Sequence, residues 1–161
     1  MTEITTQAKT AVVYHSGYGH TARMASAVAE GAGADLVAID AEGNISEADW
    51  ATLAAADGII FGTPTYMGGP SWQFKKFADA SSKPWYAQVW KDKIAAGFTK
   101  IGNRSGEKLN TLMQLAVFAA QHGMLWVGLG LMPGSISSRG AEKDINRLGS
   151  FLGAMSQSNM D

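Results

Sequence analysis

The chain alternates short, almost wholly apolar runs with amphipathic segments of helical period, and that alternation confines it to few folds. "TAVVYH" (10–15), "ADLVAID" (34–40), "GIIF" (58–61), "KIAAGFT" (93–99) and "MLWVGLG" (124–130) read as strands. Helical segments follow them. "TARMASAVAEGAG" sets Ala22, Ala25, Val28 and Ala29 on one face, and Ser46 with Asp49 suits a capping box at the head of "SEADWATLAAA". "SWQFKKFADAS" and "GEKLNTLMQLAVFAAQHG" are the next two helices, and "AEKDINRLGSFLGAM" is expected to close the chain as a helix with Ile145, Leu148, Phe151 and Leu152 inward. Strands apolar on both faces need cover on both, which predicts an α/β protein with a parallel sheet between helical layers. A length of 161 residues suits one domain over 1–161, with 1–9 a loose polar tail.

Composition narrows the chemistry. Lys plus Arg number 13 against 14 for Asp plus Glu, so no nucleic acid or anionic membrane is expected as partner. The absence of cysteine removes disulfides, thiolate catalysis and Cys-ligated metals, and the scattered His15, His20 and His122 make no metal motif. The first residues lack the order of a signal peptide and no run is long enough to span a membrane, so the cytoplasm is the expected compartment.

In an open parallel sheet, ligands sit at the carboxyl ends of the strands. The turns there are Ser16–Thr21, Thr63–Gly69 and Lys100–Gly106, all rich in Gly, Ser, Thr or Asn. The first admits two readings. Gly17-Tyr18-Gly19-His20-Thr21-Ala22 matches G-x-G-x-x-G/A, with Asp40 placed as a ribose-binding acid, which is a dinucleotide reading. Alternatively the hydroxyls of Ser16 and Thr21, the loop amides and the following helix N-terminus could hold a terminal phosphomonoester without a cation. A Walker A ending is missing. Ser105 to Lys108 has S-x-x-K spacing but no companion motif, so a helix start is the better reading there. Trp85 and Trp90 lie in the polar stretch "SSKPWYAQVWKDK", which points to an interface or a lid, whereas Trp50, Trp72 and Trp126 are expected in the core.

The stretches "SGYGHTARMA", "GIIFGTPTYMGGPSWQFKKFAD" and "AAQHGM" together resemble the flavodoxin-like FMN proteins, and within them the WrbA-type NAD(P)H:quinone oxidoreductases and related NADPH-dependent FMN reductases. The resemblance implies a three-layer α/β/α fold with a five-stranded parallel sheet in the order 2-1-3-4-5, binding FMN non-covalently. It implies that Ser16, Gly17, Tyr18, Gly19, His20 and Thr21 hold the phosphate. Pro64, Thr65, Tyr66, Met67 and Gly68 would run along the isoalloxazine, and Lys100, Ile101, Gly102, Asn103, Arg104, Ser105 and Gly106 along its pyrimidine side. Tyr18 and Trp85 would meet the nicotinamide or quinone, Trp85 often from a neighbouring subunit. The implied activity passes reducing equivalents from NAD(P)H to a quinone or other small acceptor, the flavin carrying the chemistry, in a homo-oligomer, dimer or tetramer. A flavodoxin-type electron carrier is the alternative. Thr65-Tyr66-Met67 stands where many such chains have Thr-Arg-Phe, and Gln121-His122-Gly123 where they have His-His-Gly.

Overall fold

A computed structural model describes residues 7–141 and 143–159; positions 1–6 of the expected tail lie outside them. The parallel strands are β1 (Thr10–His15), β2 (Asp35–Ile39), β3 (Gly58–Tyr66), β5 (Ile94–Ile101), β6 (Leu125–Trp126) and β7 (Ala154–Gln157), with β4 (Gly69–Pro70) a short antiparallel return on β3. The helices are α1 (His20–Ala32), α2 (Glu47–Ala55), α3 (Trp72–Ala80), α4 (Ser82–Tyr86) and α5 (Lys108–Gln121). The sheet order is β2-β1-β3-β5-β6. With the return strand set aside, this is the expected 2-1-3-4-5, a flavodoxin-like sheet.

Two cores follow from strand alternation. Ala11, Val13, Phe61, Ala95 and Leu115 share the larger one with Phe74, Phe77 and Trp90, while Val12 and Phe98 face Ala25 and Ala29 of α1. Helix α2 starts as its sequence predicts: Ser46 Oγ accepts from the Asp49 N–H while Asp49 accepts from the Ser46 N–H. Lys93 closes its other end by donating to the carbonyls of Ala54, at 2.6 Å, and Ala56.

The structure corrects several expectations. Strand β3 continues past Phe61 to Tyr66, and β5 past Thr99 to Ile101, because Gly62 to Pro64 pair in register with Phe98 to Lys100. Thr63, Thr65, Lys100 and Ile101 are therefore strand residues and not loop. The fifth strand is split. Leu125–Trp126 pairs the start of β5 and Ala154–Gln157 pairs its end, with residues 127–141 and 143–153 lying between them. Among the described residues the closing helix does not form: Asn146 at φ 55° and Gly149 at φ 70° break it, and the Asn146 side chain donates to the carbonyls of Leu131 and Ser150. Trp72, at the first position of α3, is 60% exposed, since the helix turns Phe74 and Phe77 inward instead. Trp90 is the reverse, 1% exposed and packed on Trp50 and Phe77.

His122 sits at the far end of α5 from the strand-end turns, its ring centroid 4.3 Å from that of Trp90. Ser81 donates its one proton to the Ala78 carbonyl at 2.6 Å, so His122 Nε2–H donates to Ser81 Oγ at 2.8 Å. Its Nδ1 is buried without a partner among the described residues, and burial pulls the pKa down to about 4. In the unfolded chain histidine titrates near 6.5, so the unfolded state takes up a proton first as pH falls. Folding stability contributed by neutral His122 is thus present above about pH 6.5 and lost towards pH 4, by roughly 3 kcal/mol in full. His15, its pKa also lowered by burial, acts in the same direction. Urea titrations at pH 7 and pH 5 are expected to show a clearly smaller loss in His122→Phe than in the native chain. An equal loss in both would exclude His122 as the source.

Candidate functional site

Three turns stand where β1, β3 and β5 end. In the first, Ser16 Oγ accepts from the N–H of Gly19 and of Ala22, each at 3.1 Å, winding the backbone into a cup at the head of α1. Gly19 turns the corner at φ 87°, which favours glycine. Among the described residues the amides of Gly17, Tyr18, His20 and Thr21 donate to nothing. The first turn of α1 carries no acidic side chain, so the positive end of the helix is open to an anion. Ser16 Oγ accepts both its bonds and keeps its proton to give. Thr21, only 1% exposed, is the second residue of α1. A β-carbon at Gly17 would stand 2.6 Å from the Tyr66 hydroxyl, so glycine is what lets Tyr66 lie against the cup. Tyr18 meets Tyr66 edge-on at 6.4 Å, and burial together with Tyr18 pushes the Tyr66 phenol pKa up, keeping it a neutral donor.

The second turn is the Met67–Gly68 tip between β3 and β4, with φ of 47° and 83°, the hairpin geometry that calls for left-handed residues at both positions. Asn110 at the head of α5 donates to the Gly68 carbonyl at 2.6 Å and fixes the tip, leaving Met67 fully exposed. The third turn, residues 102–107, is held by Lys108. That side chain is 1% exposed, and its ammonium donates to the carbonyls of Asn103, Arg104 and Ser105 at 2.7, 2.6 and 2.8 Å. Burial lowers its pKa against the opposing charge of Glu107. Because it binds the Ser105 carbonyl, S-x-x-K here makes no activated hydroxyl, and the stretch read as a helix start leads into α5, which begins at Lys108, two residues inside the segment expected from Gly106.

Beneath the turns lies a network the sequence reading missed. Thr99 gives its one proton to the Thr63 carbonyl at 2.7 Å; Thr65 must then donate to Thr99 at 2.9 Å, and Thr111 to Thr65 at 2.8 Å. Next to it His15 Nδ1 lies 2.8 Å from Ser71 Oγ, which accepts from the Phe74 N–H and caps α3. Thr63 and Thr65, alternating on one face of a strand that is otherwise apolar, were the available signal.

The expected site residues thus divide. Ser16 to Thr21, Tyr66 to Gly68 and Gly102 to Gly106 gather at the strand ends, while Pro64 and Thr65 are buried in β3 and Lys100 and Ile101 lie in β5. Trp85 is not brought to them. It lies on α4, past the end of α3, where it lines an apolar groove of about 640 Å³ between α3 and α5 that His122 also borders. Asp40, the acid of the dinucleotide reading, accepts from the N–H of Glu42 and Asn44 and so closes a local turn.

A doubly wound parallel sheet in this strand order, with a glycine-hydroxyl turn between its first strand and helix, defines the flavodoxin-like class. The sequence model of the NADPH-dependent FMN reductase family matches residues 15–134, and the chain belongs to that family. Flavodoxin FldP of Pseudomonas aeruginosa is 52% identical over 153 residues, covering 95% of this chain and 83% of that protein. An NAD(P)H dehydrogenase (quinone) of Geobacter sulfurreducens is 34% identical over 142 residues, 73% of this chain and 70% of its own length. Among solved structures, the flavodoxin, WrbA-like protein from Agrobacterium tumefaciens has 58% identity and a TM-score of 0.80, covering 96% of this chain and 85% of that one. Among the described residues no helix is long and apolar enough to cross a membrane.

Proposed function

We propose that the chain is an FMN-dependent oxidoreductase that passes reducing equivalents from NAD(P)H to a quinone or another small acceptor. The observation that carries this reading is the cup at Ser16 to Thr21, where amides without partners among the described residues, two hydroxyls and a helix N-terminus converge in a loop with no carboxylate. A phosphomonoester, close to dianionic at neutral pH, is the ligand those donors suit. Bound FMN supplies hydride and electron transfer. The chain's own residues hold it: Ser16, Gly17, Tyr18, Gly19, His20 and Thr21 at the phosphate, Tyr66 to Gly68 beside the ring, and Gly102 to Gly106 on its pyrimidine side. Tyr18, 82% exposed, is the residue of this loop left free to meet a nicotinamide in this reading. A role for Trp85 at the nicotinamide or quinone would require a second copy to deliver it, so that role and a homo-oligomer stand or fall together. The family to which the chain belongs and its quinone dehydrogenase relatives support the donor and the acceptor.

A flavodoxin-type electron carrier is the second reading, favoured by the 52% identity to a protein named flavodoxin. A net charge of −1 gives such a carrier little to steer it onto a basic partner. Anaerobic mixing of the FMN-loaded chain with NADH or NADPH separates the two. The enzyme is expected to bleach the flavin absorbance within seconds, whereas persistent colour favours the carrier and failure to take up FMN excludes both.

A further inference from the structure

Lys100, next to last in β5, has 9% of its surface exposed and sends its ammonium across to α1, where it lies 3.1 Å from His20 Nδ1. An ammonium only donates, so His20 Nδ1 accepts and the imidazole proton resides on Nε2, at the opposite edge of the ring. A second ammonium proton goes to Ser158 Oγ at 3.0 Å, and the Ser158 N–H donates to the Ile101 carbonyl, so the end of the split fifth strand holds Lys100 in place. His20 is the first residue of α1 and part of the cup, which contains no Lys or Arg. Lys108 cannot serve there, its donors being taken by three carbonyls.

We propose that Lys100 is a positioning residue for the phosphate cup: by donating to Nδ1 it fixes His20 in the tautomer that offers Nε2–H to the anion, and it brings the countercharge that the loop lacks. This rests on the FMN reading. It makes the site selective for the phosphorylated flavin over riboflavin, since the pair acts on the phosphate and not on the ring.

The test uses two readouts. In the flavin-free chain labelled with ¹⁵N-histidine, His20 is expected as the Nε2–H tautomer, and in Lys100→Met as a mixture of tautomers; protonation at Nδ1 in the native chain overturns the proposal. By fluorescence titration, Lys100→Met and His20→Ala are each expected to weaken FMN binding by about tenfold or more, the worth of a hydrogen bond to a charged group. Riboflavin binding is expected to stay within about twofold, Lys100→Arg to recover part of the loss, and the double variant to lose no more than either single one. Parallel loss of both flavins would show that Lys100 acts only through packing, losses that multiply would show that it acts independently of His20, and either would refute the idea. A native chain that binds neither flavin removes the FMN reading and the phosphate role with it, while the tautomer measurement still reports whether the pair exists.

Discussion

Replacing Ser16 and Thr21 together by alanine is expected to lower affinity for FMN by roughly a hundredfold or more while riboflavin binding changes little. Each hydroxyl lost from a charged phosphate is worth about 1.5–3 kcal/mol. Ser16 has a second task, because its oxygen accepts from Gly19 and Ala22 and so shapes the cup. Its loss loosens the amides that the phosphate needs as well as removing one donor. Fluorescence titration with both flavins, on a variant shown to be folded by circular dichroism, separates phosphate recognition from ring recognition. Native-like FMN affinity in the double variant would remove the basis for placing a phosphate there.

The second large effect is on stability. Lys108→Met is expected to cost about 3 kcal/mol, or roughly 6–12 °C in Tm, because the carbonyls of Asn103, Arg104 and Ser105 lose their shared donor together. Methionine fills a similar volume, so the loss reports the hydrogen bonds more than a cavity. Amide exchange in residues 102–107 should quicken beyond what the global change explains, since that turn has its carbonyls gathered on one ammonium. Lys108→Arg is not expected to rescue, a planar fork being unable to meet three converging carbonyls as a compact ammonium does. A Lys108→Met chain as stable as the native one would mean that the turn is held by something else.

Both predictions concern backbone shaped by one side chain, and they differ in how far they were legible beforehand. Ser16 and Thr21 flank two glycines at a strand-to-helix junction, and that local pattern suits an anion without knowledge of the rest of the fold. Lys108 sits among polar residues at a helix start, and its spacing suggests only a helix start or a false S-x-x-K. Its burial depends on a turn that folds back over it. Lys100 is a similar case: as a residue of "KIGNRSG" it reads as a loop cation, yet pairing of Pro64 with Lys100 extends the strand and turns its side chain to His20, 80 positions earlier. Trp72 and Trp90 exchanged expected places because helical phase and the return of the chain after α4, not hydrophobicity, decide which indole is covered.

The sequence by itself determined the alternation of strands and helices as far as α5, the parallel sheet and the glycine-hydroxyl turn at the head of α1, because apolar periodicity and glycine-hydroxyl punctuation act over a few residues. Tertiary structure alone decided the split of the last strand, the unwinding of the expected closing helix and the partners of Lys100, Lys108 and His122. Those depend on which carbonyls, hydroxyls and rings meet across the sheet, where distant residues compete for the same hydrogen bonds and the same dry volume.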